Sequence, residues 1–83
     1  MAKETVLKRL GANVRRERTE RQMSQTELAG RAGVHARTIA KIEAGELGIR
    51  PETIDRIQRA IGCSPEKILG QGPSGNILRP TRT

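Results

Sequence analysis

QTELAGRAGVHARTIAKIEA, residues 25–44, decides the fold of this chain. Its small and apolar residues fall where two short helices, joined by a tight turn, must cross. Ala29 is small enough to let one helix lie close against the next. Gly33, four residues on, takes a positive φ without the steric cost a Cβ would bring. Leu28, Val34, Ile39 and Ile42 supply the apolar contacts that seat both helices on a core. Ser24 stands just before the stretch, and Ser24-Gln25-Thr26-Glu27 has the S-x-x-E form of a capping box, so a helix is predicted over residues 25–31. Residues 32–34 make the turn. The next helix is predicted over residues 36–44, with His35 at its N-cap and Gly45 as its C-terminal stop.

On that second helix Ile39, Ile42 and Glu43 share a face at i, i+3 and i+4. The opposite face presents Arg37, Lys41 and Ala44, with Ala36 and Ala40 along its edge. Toward the N-terminus, Leu7, Leu10 and Val14 form an apolar stripe that predicts a helix over residues 3–22, and four further residues along the stripe land on Arg18. Gly11 lowers helix propensity there, but no second breaker accompanies it. Arg18 and Glu43 are each an ion on an apolar stripe. Burying either alone is costly, so the two are predicted to form a structural, hydrogen-bonded ion pair between the first and third helices.

Toward the C-terminus, residues 46–50 read as a loop, and Pro51 with Glu52 suits the first turn of a fourth helix. Ile54, Ile57 and Ile61 are its buried stripe and Gly62 its end. Ser64-Pro65-Glu66 opens a short fifth helix that stops near Leu69. The composition changes at Gly70: GQGPSGN is a flexible spacer, and ILRPTRT is basic and has no helical period. The chain therefore divides into a domain over residues 1–70 and a flexible basic tail over residues 71–83.

At 83 residues the chain is one small domain, near the size at which a single core only just suffices. Phe, Tyr and Trp are absent. The core must come from Leu, Ile, Val, Met and Ala, which suits packed helices better than a sheet, and an all-α fold is expected. Sixteen basic residues against nine acidic ones give a net charge of +7, and twelve of the sixteen are arginine. Arginine pairs bidentately with phosphate and with guanine, so the bias points to nucleic acid, with a general effect on solubility as the alternative. Cys63 is the only cysteine, which excludes an internal disulfide and reads as a buried thiol. No run approaches the ~20 apolar residues of a membrane helix and no signal-peptide core is present, so a cytoplasmic protein is expected. There is no pair of nucleophile and base, no phosphate-binding glycine loop and no Cys and His cluster. The expectation is a protein that is not an enzyme and uses neither cofactor nor metal.

Taken together, LGANVRRERTERQMSQTELAGRAGVHARTIAKIEAGE and PETIDRIQRAIGCSPEKIL resemble the Cro/C1-type helix-turn-helix domain, the lambda-repressor-like family also called XRE. Residues 10–69 carry the resemblance, with small, glycine and apolar positions in order and I-E-x-G at residues 42–45. It implies a compact five-helix lambda-repressor-like DNA-binding domain whose third helix lies in the major groove. With the family as guide, Arg37 and Lys41 are the base readers: a guanidinium can bond guanine O6 and N7 together, and an ammonium can reach a base acceptor or a phosphate. Ala36 and Ala40 allow close approach, and an alanine methyl can meet a thymine methyl. Gln25 grips the DNA backbone in related domains, and Ser24, Thr38 and His35 are further phosphate ligands.

Each role has a plainer alternative. Arg37 and Lys41 could form a solvated helix face, Gln25 the first residue of a helix, and His35 a cap. Arg15, Arg16 and Arg21 fit either a general positive field or direct phosphate contact. The chain also departs from the family. The loop after the third helix reads Glu46-Leu47-Gly48-Ile49 where basic residues are common, and Ala44 replaces a common asparagine.

One such module contacts only a few base pairs, so a homodimer on a roughly palindromic operator of double-stranded DNA is expected. Ile68 and Leu69 are expected at the dimer interface. As neighbours they cannot face the same way, which leaves one of them for the second subunit; Ile77 and Leu78 in the tail offer another contact. The expected function is sequence-specific transcriptional repression in a bacterium or phage. An antitoxin, binding DNA with the domain and a toxin protein with the tail, is the alternative from another class. A controller of restriction-modification genes or an activator is the alternative within the first.

Overall fold

Five helices, α1 (Ala2–Glu20), α2 (Gln25–Ala32), α3 (Ala36–Glu43), α4 (Pro51–Ile61) and α5 (Pro65–Leu69), form the part of the chain that the computed structural model describes. That part is residues 2–70, with side chains from Val6 onward, and it contains no strand. The fold is all-α, as the composition and periodicity require. The tail from residue 71, with Ile77 and Leu78, lies outside the described residues.

Helix ends follow local chemistry, within a residue or two of their predicted places. The first helix stops at Glu20 rather than at residue 22, because Gln22 takes a left-handed φ of 55° and the Met23 N–H turns back to donate to the Arg18 carbonyl at 3.1 Å. Ser24 caps α2, its Oγ accepting from the Glu27 N–H at 2.9 Å. Only this half of the capping box forms, since the Glu27 carboxylate accepts instead from Arg31 Nη2 at 2.8 Å. Ala32 joins α2 rather than the turn, and Gly33 follows at φ 73°. At the end of α3 the cap is Ala44, and Gly45, at φ 76°, lies one step beyond it.

The fully buried side chains are Val14, Leu28, Ile39, Ile42, Ile57 and Ile68, so every helix contributes at least one. Burying such a side chain stabilises the fold by about 1.5–3 kcal/mol. Met23, Ala29, Ala32, Ile61 and Cys63 complete the core. Burial pushes the Cys63 thiol up, with the Glu17 charge adding to it, in keeping with its place in the core. Helix α2 packs on both α3 and α4, while α1 crosses α3 and lies against α5.

Two polar features of α1 hold this arrangement. A Cβ at Gly11 would collide with the carbonyl oxygens of Ile42 and Glu43, so α1 can approach the end of α3 only with a bare backbone there. On another side of the helix, buried Asn13 donates from Nδ2 to the carbonyls of Ile68 (2.8 Å) and Gly70 (2.9 Å). Arg16 donates to Asn13 Oδ1 at 3.0 Å and to the Lys67 carbonyl at 3.2 Å. The open carbonyls at the end of α5 thus find donors on α1, which docks a helix too short to stand alone.

That docking corrects one expectation. Ile68, predicted with Leu69 at a subunit contact, is only 1% exposed, in the chain's own core where α5 meets α1. Leu69 is the member of the pair on the surface, at 52%.

Candidate nucleic-acid interface

Helix α3 has two faces of opposite character. Ile39 and Ile42 point into the core, whereas Arg37, Lys41 and the capping Ala44 are exposed; Ala36, Thr38 and Ala40 are half-buried at the boundary. Ala36 also packs against the core cluster. Among the described residues neither Arg37 nor Lys41 has an intramolecular side-chain hydrogen bond or ion pair, so both cations are available to an outside acceptor.

The buried face is fixed by charge as well as by packing. Arg18 Nε donates to Glu43 Oε2 at 2.6 Å and Nη2 to Oε1 at 2.9 Å, a bidentate pair whose side chains are 11% and 4% exposed. The hydrogen bonds to Glu43 raise the Arg18 guanidinium above its ordinary value, against the opposing effect of burial. Arg18 Nη1 donates further to the Met23 carbonyl at 2.7 Å. Gln25 Nε2 then donates to Glu43 Oε1 at 3.0 Å. One carboxylate on α3 therefore holds α1 and the first residue of α2 together, and the exposed face inherits their rigidity.

Residues expected at the DNA backbone are placed unevenly. The amide of Gln25 directs one N–H to Glu43, leaving the second N–H to give. Ser24 is exposed with its Oγ accepting the cap bond, so its O–H stays free to donate. His35 is exposed at the N-cap of α3 and makes no side-chain cap bond. Of the three arginines in the early cluster, two are tied to one acid: the buried Glu17 accepts from Arg16 Nε at 3.3 Å and from Arg21 Nη1 at 3.0 Å. Burial works to raise the Glu17 carboxyl, but the hydrogen bonds from Arg21 and Arg16 outweigh it and hold the group below the usual carboxylate range. Arg15 is exposed. In the loop after α3, Glu46, Leu47 and Gly48 are exposed and Ile49 packs partly on the core.

A family model described as helix-turn-helix matches residues 14–68, from the middle of α1 into α5. The chain belongs to the helix-turn-helix family. Its Cro/C1-type resemblance over residues 10–69 rests on the same helices. A relative from Sinorhizobium fredii, named as the uncharacterized HTH-type transcriptional regulator y4mF, is 40% identical over 63 residues, which are 76% of this chain and 82% of the relative. Among solved structures, the restriction-modification controller protein C.AhdI from Aeromonas hydrophila superposes with a TM-score of 0.73 at 24% identity, over 75% of this chain and 94% of that one. This second likeness is one of fold. In helix-turn-helix terms α2 and α3 are the paired helices, and Gly33 opens the turn between them.

No described helix is long and apolar enough to cross a membrane. Among the described residues no group of His, Cys, Asp and Glu side chains could hold a metal ion.

Proposed function

We propose that this helix-turn-helix protein is a transcriptional repressor that binds a roughly palindromic operator as a homodimer. Its class, a DNA-binding regulator, follows from the family; the mode of action is the proposal. The observation that carries it is the pair Arg37 and Lys41, exposed and, among the described residues, without a side-chain hydrogen bond or ion pair, on a helix whose other face is locked to α1 and α2.

With α3 in the major groove, Arg37 donates two hydrogen bonds to guanine O6 and N7, and Lys41 reaches a base acceptor or the adjoining phosphate. Ala36 and Ala40 keep the helix slim enough for close approach. The second N–H of Gln25, the Ser24 hydroxyl, Thr38 and His35 serve the backbone at the start of α2 and α3, where the helix N-termini favour an anion. Leu69, exposed at 52%, is the apolar residue on α5 open to a second subunit. Occupying a promoter in the cytoplasm is the whole mechanism: the work is binding, and no cofactor takes part.

Selection of bound duplexes from a random pool, followed by binding titrations, tests the reading. Arg37→Ala and Lys41→Ala should each cost about 1–3 kcal/mol on the selected duplex and relax preference at a position. The protected site should contain two half-sites, and the complex should hold two chains. If neither substitution changes binding to the selected duplex, α3 is not the reading helix.

A further inference from the structure

Helix α1 also passes over the chain where it leaves α3. A Cβ at Gly45 would come 2.8 Å from Lys8 Cγ and 3.0 Å from Lys8 Cα, so the Lys8 stem lies directly on this backbone. By helical spacing Lys8, Gly11 and Arg18 share one side of α1. Gly11 is turned to the carbonyls of Ile42 and Glu43, and Arg18 grips the Glu43 carboxylate. The shared side therefore faces the C-terminal end of α3, the end that carries Lys41 and Ala44 outward. Lys8 is itself exposed, and its Cγ rests on Gly45, which leaves its ammonium free to extend into solvent near the C-terminal end of α3. The following residue, Glu46, is exposed as well and places a carboxylate in the same neighbourhood.

We propose that Lys8 is a DNA-backbone ligand: its ammonium binds a phosphate at the edge of the groove that α3 enters. A cation from α1 thereby supplies the contact that the loop carrying Glu46 repels. A flexible ammonium at the end of the reading helix, away from its exposed face, suits a phosphate rather than a base edge. The proposal rests on the reading that α3 enters the major groove. Its structural rival is that Lys8 only complements the negative end of the α3 dipole.

Lys8→Met separates the two, since it keeps an unbranched stem over Gly45 and removes the charge; Lys8→Gln is a second neutral variant should the first lose stability. Arg59→Met is the charge-matched control, an exposed cation on α4, which packs chiefly on α2. The full chain is titrated with the selected duplex and with a scrambled one across a salt series. Lys8→Met should lower the magnitude of the salt slope by about 0.9 per subunit, about 1.8 for the two-chain complex, and weaken both duplexes by the same factor. Lys8→Arg should restore the slope, and Arg59→Met should leave it unchanged. An unchanged slope in both neutral variants, while Lys41→Ala still impairs the selected duplex, overturns the proposal and leaves the reading of α3 intact. Equal slope changes in Lys8→Met and Arg59→Met overturn it too, as an effect of net charge. If the wild type prefers no duplex, the reading itself has failed.

Discussion

Arg18 and Arg37 flank the same helix pair, yet their environments are opposite. Arg18 is 9% exposed and places its guanidinium on Glu43 and the Met23 carbonyl. Arg37 is exposed, and among the described residues its side chain makes no hydrogen bond or ion pair. Arg16 and Arg21 side with Arg18, being held by the buried Glu17; Lys41 sides with Arg37. The count of sixteen basic residues therefore overstates the cations open to a polyanion. Among the described residues Arg37 and Lys41 are thus cations without an internal carboxylate, on a helix whose other face is held through Glu43.

The largest effect should come from breaking the held set. Glu43→Ala strands Arg18 and frees Gln25, and it should destabilise the fold by about 3–5 kcal/mol in urea unfolding, whereas Arg37→Ala should stay within about 0.5 kcal/mol. Equal losses for the two would erase the distinction drawn between them. In binding the order reverses: Arg37→Ala at unchanged stability should lose about 1–3 kcal/mol on its selected duplex.

Glycines sharpen the same contrast between held and open surface. Gly11→Ala forces a methyl into the α3 carbonyls and should cost about 1–3 kcal/mol, while Gly30, with open space where a methyl would sit, should gain about 0.5–1 kcal/mol as alanine in α2. Thermal midpoints of the two variants should therefore move in opposite directions.

Acid provides the gentlest probe. The Glu17 carboxyl is depressed in the folded state, so its contribution is present above its unfolded pKa and is lost as pH falls through the folded value. Stability should fall on acidification below the usual carboxylate range, and Glu17→Gln should flatten that part of the curve. A parallel curve in the variant would show that Glu17 is not a source of the acid sensitivity.

Much of this was legible in the residues. Helical stripes, the Ser24 cap and Gly33 lay out the paired helices, and two ions on facing apolar stripes announce Arg18 with Glu43. Less visible were the distant contacts that no ion on an apolar stripe signals. Gly11 reads as a weak point in a helix until the α3 carbonyls are brought against it. Asn13 finds its acceptors 55 and 57 residues away, at the end of a helix and on its C-cap, whose position no local pattern gives. Ile68 and Leu69 look alike in sequence, and only the docking of α5 on α1 decides which is buried. At the candidate interface, Gln25 illustrates the same limit: its place at the start of α2 is local, whereas its bond to Glu43 spans 18 residues.

The most direct measurement is to repeat the duplex selection with Arg37→Ala. The variant should recover the wild-type motif with information lost at one position in each half-site, because a single guanidinium has been taken from an otherwise intact reading face. Recovery of the full motif would contradict the assignment of Arg37, and with it the view that its freedom from internal partners marks it as a reader of DNA.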